Sequence, residues 1–234
     1  MIISHVYKFI FLKTRKTAGT SMEIALSTVC GPKDIITPLK PEDERMRADV
    51  AGRPPQHYLE RYLRYRPSDW IALLLRRKRK FRYYNHIRAE WIRDRVGLDV
   101  WNSYFKFCFE RNPWDKVISA FYWRKSLAPS EKDYFDSLDQ FIQSGVARHR
   151  YSDFSKYCVD GRVAMDFVGR FESLDRDWHE ALKKIGLRQD LELPFAKSGR
   201  RPDKMSYREV LTGAQRDRIA GDFAREIEYF GYRY

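Results

Sequence analysis

The strongest constraint on this chain is a short apolar run, Phe9, Ile10, Phe11 and Leu12, that gives way at once to small, hydroxylated and cationic residues. A continuous run of this kind is the pattern of a strand buried on both faces. From Met22 onward the apolar residues fall at Met22, Ala25 and Leu26, the spacing of a helix. The chain must therefore turn from buried strand to helix across Lys13, Thr14, Arg15, Lys16, Thr17, Ala18, Gly19, Thr20 and Ser21. Such a turn aims several backbone N–H groups at one point, at the positive end of the helix dipole. Gly19 lets the backbone approach a ligand closely. Lys13 and Lys16 supply charge, and Thr17, Thr20 and Ser21 supply hydroxyl donors beside the Ala18 backbone. The turn reads as an anion site of phosphate type. The plainer alternative is an ordinary strand–helix turn with solvated lysines. It is not a Walker A motif, G-x-x-x-x-G-K-[ST]. No glycine precedes Gly19 and no lysine directly follows it, so a nucleoside-triphosphate hydrolase is disfavoured.

With 234 residues, 43% of them hydrophobic and 15% aromatic, the chain can bury one full core. A net charge of +13 calls for an anionic partner: a nucleotide, an acidic polymer, nucleic acid or an anionic membrane surface. Cys30, Cys108 and Cys158 are odd in number and lack C-x-x-C spacing, so neither a disulfide framework nor a zinc site is expected. Lys8 and Lys13 interrupt the N-terminal apolar residues, which read as a first strand rather than a signal peptide. No run reaches the roughly 18 apolar residues of a membrane span. The expectation is a cytoplasmic protein, with peripheral attachment to a membrane left open.

Residues 31–56 are rich in turn formers and read as a long surface excursion. Residues 57–66 and 68–80 read as two helical pieces separated by Pro67, the second capped by Ser68 and Asp69. That second piece runs from Trp70 through Leu75 into Arg76, Arg77, Lys78, Arg79 and Lys80. It is expected to pack on the core with a solvated basic end. The alternatives for its cations are a site for an acidic acceptor or attachment to an anionic membrane. Residues 81–85 suit a second strand, and a helix over 88–95 ends at Gly97. Residues 104–110 form a strand with Phe105, Phe107 and Phe109 on one face. A helix starts near Trp114, another covers 138–142, and a strand covers 166–171. Residues 173–185 form a helix stopped by Gly186, and 214–229 a last amphipathic helix with Ile219, Phe223 and Ile227 inward. Strands alternating with helices predict a three-layer α/β fold with a mostly parallel sheet flanked by helices.

A second anion site is expected at Arg111, at the C-terminal end of the strand over 104–110, where open α/β sheets place ligands. Ser119 follows roughly one and a half turns into the next helix. A guanidinium and a hydroxyl there can hold one phosphate. The alternative pairs Arg111 with a surface carboxylate and leaves Ser119 packed mid-helix.

These segments resemble the sulfotransferases that use 3′-phosphoadenosine 5′-phosphosulfate (PAPS). Residues 16–21, Lys-Thr-Ala-Gly-Thr-Ser, are similar to their 5′-phosphosulfate loop, P-K-T-[AG]-[GS]-T-S, with Arg15 in place of the usual proline. Residues 111–122, R-N-P-W-D-x-x-x-S-x-x-Y, resemble their 3′-phosphate motif, R-[ND]-P-x-[DE]-[RK]-x-x-S-x-[YF]. The likeness is greatest to carbohydrate sulfotransferases of the heparan-sulfate 2-O type. Residues 169–174 and 228–232 match further segments of that family. Ser198, Gly199 and Arg200 fall where it has a basic loop closing over the cofactor. The resemblance spans residues 8–26, 84–125 and 166–232, and residues 31–80 have no counterpart in it.

The resemblance implies a P-loop-like nucleotide-binding fold, residues 1–234 forming one domain with a helical and loop insertion at about 31–80. It implies transfer of the sulfuryl group from PAPS to an acceptor hydroxyl by in-line displacement. Adenosine 3′,5′-bisphosphate is the product, and no metal is required. A lone histidine after a strand is more often structural, yet an alcohol needs a base and histidine titrates in the useful range. The family commonly has a histidine where His86 stands, so His86 is the expected base, with His57 next in line. Lys16 is expected to stabilise charge on the bridging oxygen. Cofactor contacts are expected from Lys13, Lys16, Thr17, Ala18, Gly19, Thr20, Ser21, Arg111, Ser119, Ser198, Gly199 and Arg200. The acceptor is expected to be a hydroxylated carbohydrate, neutral or acidic, with no obligatory nucleic acid. The alternatives are a kinase-like nucleotide phosphotransferase, or a basic module that binds nucleic acid or a membrane surface.

Overall fold

A computed structural model describes residues 1–127, 130, 134–187, 191–194 and 205–234. The apolar run becomes β2 (Phe9–Phe11), and β1 (Ile2–Ser4) precedes it. Helix α1 (Gly19–Ser27) follows, then β3 (Ile35–Ile36), α2 (Pro41–Asp49) and α3 (Pro67–Arg76). Next come α4 (Ala89–Val96), α5 (Leu98–Ser103), β4 (Phe105–Glu110) and α6 (Pro113–Lys125). Two short helices, α7 (Leu138–Gln143) and α8 (Val146–Tyr151), lead to a hairpin of β5 (Cys158–Val159) and β6 (Arg162–Val163). The chain ends with β7 (Phe167–Arg170), α9 (Leu174–Lys184), α10 (Tyr207–Val210), α11 (Gly213–Asp222) and α12 (Ala224–Phe230).

The central sheet has the order β3-β1-β2-β4-β7. Strands β2, β4 and β7 run parallel, with Phe11 opposite Phe107 and Phe109 opposite Gly169. β1 runs antiparallel to both β2 and β3. Alternation along the strands sends side chains to two cores. Phe9, Phe11, Phe107 and Phe109 face α1 and α9, where Met22, Leu26, Trp178 and Leu182 meet them. Ile10, Leu12 and Cys108 face the other way, onto Ile92, Trp101, Tyr157 and Phe230. A third cluster joins α6 to α7, α8 and α11 through Ile118, Phe141, Tyr151 and Phe223. The fold is thus three-layer and α/β, with a mostly parallel sheet between helices. A β-carbon on Gly169 would stand 2.4 Å from the Phe109 ring, so this pairing admits only glycine.

Several expectations need correction. The excursion over 31–56 contains the edge strand β3 and helix α2, and Asp34 organises its start. Asp34 accepts from Ser4 Oγ at 2.8 Å, His5 N at 2.6 Å and Gly31 N at 2.8 Å. Residues 57–66 form no α-helix but one 3-10 turn, Tyr62–Arg64, because Leu59 bridges to Phe81 and Glu60 N donates to Lys80 O. Pro67 opens α3 instead of separating two helices, since the first turn needs no N–H there. The helix stops at Arg76, with left-handed Arg77 as its C-cap, so the rest of the basic run lies beyond it. No residue of α3 is buried, so it does not pack on the core. Residues 81–85 make no strand, because Arg82 N and Tyr83 N both donate to Tyr58 O and the chain turns. The last helix breaks at buried Phe223 into α11 and α12. All three cysteines are free and buried. Among the described residues no helix is long and apolar enough to cross a membrane, and no cluster suits a metal ion.

Candidate active site

A cleft of about 980 Å³ opens where β2, β4 and β7 end. One wall is the turn between β2 and α1. Thr14 Oγ1 donates to the Phe109 carbonyl and shares a hydrogen bond of 2.9 Å with Thr17 Oγ1, which fastens the turn to β4. Lys16 and Ala18 adopt φ of 62° and 60°. The left-handed state costs a non-glycine residue about 1–2 kcal/mol. Left-handed residues alternating with ordinary ones turn successive N–H groups inward, as in an anion-binding nest. A β-carbon on Gly19 would sit 2.8 Å from Lys13 Cγ, so the helix can start this close only with glycine. Lys13 lines the cleft, but its ammonium meets the fully buried Glu23 carboxylate, which also accepts from Thr37 Oγ1 at 3.0 Å.

Arg111 leaves β4 directly into the cleft. Its Nε and Nη2 donate to Asp115 Oδ2 at 2.8 and 2.6 Å, and Nη1 donates to Lys16 O at 3.0 Å. The guanidinium lies 4.0 Å from the centre of the Phe171 ring. The carboxylate alternative is therefore realised, but on the cleft wall, with the fork joined to the turn's own backbone. Ser119 lines the same wall from α6, whose start is capped by Asn112 Oδ1 accepting from Trp114 N at 3.1 Å. Asn112 N in turn donates to Glu172 Oε1 at 2.6 Å, and Tyr232 OH donates to Glu172 Oε2 at 3.2 Å. The segments at 111–122, 169–174 and 228–232 thus meet at one place.

His86 faces these walls from a turn with φ of 62°. Its Nδ1 lies 3.0 Å from the Lys13 carbonyl. A carbonyl only accepts, so Nδ1 carries the hydrogen and Nε2 is the basic atom. Burial, with the charges of Arg15 and Lys13 beside it, holds its pKa well below the usual histidine value of 6.5. The ring is therefore neutral at neutral pH.

Beneath the cleft lies a charge network that sequence reading did not find. Lys116 is fully buried and donates to Glu110 Oε1 at 2.7 Å and Asp153 Oδ2 at 3.0 Å, both carboxylates also fully buried. Burial alone would expel the ammonium's charge, yet Asp153 and Glu110 outweigh it and raise the Lys116 pKa. Burial likewise lifts Glu110, against the pull of Lys116, to about 7. Asp153 accepts from Arg15 N at 2.6 Å, and Glu110 from Arg111 N at 2.9 Å. The network fixes the backbones of both anion-site segments at once.

The structure brings Lys13, Lys16, Thr17, Ala18, Gly19, Thr20, Ser21, His86, Arg111 and Ser119 to one cleft. Ser198, Gly199 and Arg200 lie outside the described residues. His57 is exposed at Pro32 O and is no part of the wall, nor is any cation of the run from Arg76 to Arg82. Lys40, Trp123, Arg150 and His179 were missed. Lys16 and Lys40 place their ammonium groups 6.0 and 5.1 Å from the Trp123 ring centre. Trp123 is four residues after Ser119, one helical turn along the same face, and that spacing was available in the sequence.

A sequence profile described as the sulfotransferase family matches residues 1–233. The chain belongs to the sulfotransferase family. An uncharacterized protein of Archaeoglobus fulgidus is 34% identical over 107 residues, 45% of this sulfotransferase and 87% of that protein. "Carbohydrate sulfotransferase 11" of Danio rerio is 25% identical over 139 residues, 44% of this chain and 39% of that enzyme. Among solved structures, the crystal structure of a sulfotransferase from Alicyclobacillus acidocaldarius covers 96% of each chain at 17% identity with a TM-score of 0.39.

Proposed function

We propose that this sulfotransferase moves the sulfuryl group of PAPS to a hydroxyl of a carbohydrate acceptor. One observation carries the reading: the turn at 16–21, the Arg111 and Ser119 wall and the His86 turn converge on a single cleft. In this reading the inward N–H groups of residues 17–21 and the Lys16 ammonium hold the phosphosulfate. Gly19 fits that task, because the space its missing side chain leaves is already as narrow as a backbone cradle needs. Arg111 and Ser119 hold the 3′-phosphate, with Phe171 keeping the guanidinium in plane. PAPS supplies the activated sulfuryl group, and the chain positions it and manages one proton. His86 Nε2 accepts the acceptor's hydroxyl proton as its oxygen bonds to sulfur and the bond from sulfur to the bridging oxygen breaks. Lys16 offsets the charge left on that bridging oxygen. Lys13, already bound to Glu23, supports the turn from below and adds positive field.

The acceptor side falls to Lys40, Trp123 and Arg150. An aromatic face flanked by cations suits a sugar ring carrying a hydroxyl or an acidic group. We read residues 1–234 as one domain with an insertion at about 31–80, which gives the cleft Leu39, Lys40 and Asp43 and no residue beyond them.

The test is calorimetry and thermal shift with adenosine 3′,5′-bisphosphate against ADP, followed by transfer from radiolabelled PAPS to a panel of saccharides, phenols and amines. The bisphosphate should stabilise the protein more than ADP does. Equal stabilisation removes the 3′-phosphate site. Labelled phenols or amines in place of labelled sugars would reassign the acceptor.

A further inference from the structure

The arm formed by residues 61–82 has its polarity reversed. In α3 the half-buried side carries Asp69, Ala72 and Leu73, while Trp70, Ile71, Leu74 and Leu75 are exposed. Leu74 and Leu75 are 76% and 79% exposed, and neighbouring Leu63 is 98% exposed. A helix of a soluble protein ordinarily turns such residues to its core. The arm is also ordered within itself. Tyr62 stacks on Trp70 at 5.8 Å, Tyr65 OH accepts from Lys80 N at 2.9 Å, and Lys80 Nζ donates to Asp69 Oδ2 at 2.7 Å. The outward apolar face is thus held in place.

Charge frames that face. Residues 61–82 contain Arg61, Arg64, Arg66, Arg76, Arg77, Lys78, Arg79, Lys80 and Arg82 against the single acid Asp69, nine cations less one acid, or +8 of the chain's +13. Exposed leucines on a soluble surface invite self-association. Two copies meeting across this patch would bring two such charge clusters together, which opposes it. A surface that accepts both apolar side chains and a dense cationic rim is an anionic lipid bilayer. Leucine and isoleucine enter the acyl boundary, tryptophan and tyrosine sit at the headgroups, and lysine and arginine meet the lipid phosphates.

We propose that α3 and the basic run at its C-terminal end form a docking surface for an anionic membrane, placing this sulfotransferase on a bilayer. The cations of the arm contribute no residue to the cleft, so docking and transfer are separable functions of one chain.

The experiment is flotation of the full chain with vesicles of phosphatidylcholine alone and of phosphatidylcholine mixed with phosphatidylglycerol. Binding is expected to the mixed vesicles only, and to weaken as salt rises. Leu74→Glu with Leu75→Glu should abolish it while leaving bisphosphate affinity unchanged, since both side chains are already solvated. Replacing Arg76, Arg77, Lys78 and Arg79 with glutamine should weaken it by about 100-fold or more. No binding to the mixed vesicles overturns the proposal. So does binding that survives the two glutamates, which would reduce it to delocalised charge. Dimerisation removed by the two glutamates, with no flotation, would make a second copy the occupant instead.

Discussion

Two cationic regions of this chain look alike in sequence and differ in every physical respect. Around the cleft, Lys13, Lys116 and Arg111 are each held by a named carboxylate, and Lys116 has no exposure at all. Along the arm at 61–82, Asp69 is the only acid among nine cations, and the apolar side chains of α3 face outward with them. Charge in the first region is committed to fixing geometry. In the second it remains at the surface. A cluster of lysine and arginine therefore has no meaning until burial and partners are known, because the same residue is worth kilocalories when paired in the interior and little in water.

The comparison can be broken by mutation, and the largest expected effect lies in the buried network. Lys116→Ala takes from buried Glu110 the ammonium that meets it, while Asp153 keeps Arg15 and Lys156, and should destabilise the fold by about 3–5 kcal/mol in urea titration. Arg77→Gln should stay within about 0.5 kcal/mol. Equal costs would erase the distinction between the regions. Next is His86→Ala, which should reduce turnover by about 100-fold or more while leaving bisphosphate affinity unchanged in calorimetry.

Proton linkage sharpens the same contrast. His86 resists protonation in the folded state, so activity should persist as pH falls through the usual histidine value and drop only below it. The unfolded chain takes up the proton first, so this ring also removes stability as pH falls below about 6.5. An acid limb of kcat/KM at or above the usual histidine value would contradict the buried neutral ring. Arg111→Ala should weaken bisphosphate binding by about 2 kcal/mol, less than an unpaired guanidinium would give, because Asp115 already holds two of its donors. Ser119→Ala should cost about 1 kcal/mol. The smallest effect belongs to the arm. Glutamine at Arg76, Arg77, Lys78 and Arg79 should leave the Michaelis constants for PAPS and for a soluble acceptor unchanged. A rise confined to low salt would return the run to acceptor recognition.

Sequence patterns read well where local chemistry and tertiary role agree. The turn after Leu12 and the strand ending at Arg111 follow from apolar runs cut by polar residues, and both sit where those runs place them. His86 was legible through resemblance, while its lowered pKa depends on burial that no local pattern encodes. The failures share another cause. β1 forms a local hairpin with β2, but β3 is a strand only because it pairs with distant β1, with Asp34 bonded to Ser4 at the join. The arm misled because a leucine run is read as core by default, and only the fold tells which side of α3 meets solvent. Glu110, Lys116 and Asp153 are scattered in sequence and become one network through the packing of α6 on β4.

All nine residues of α1 are buried, from Gly19 to Ser27. Most helices keep a solvent side on which replacements are nearly neutral, and sequence drift accumulates there. This one has no such side. Its polar members are committed as firmly as its apolar ones, with Glu23 bound to Lys13 and Ser27 Oγ donating to Ile24 O at 2.6 Å. A saturation scan of the chain should therefore find an unbroken intolerant block across α1, without the three-to-four-residue rhythm that a half-exposed helix leaves. In α3 the same scan should find Ile71, Leu74 and Leu75 open to polar replacement in any assay of folding alone, and closed only in an assay that includes a bilayer.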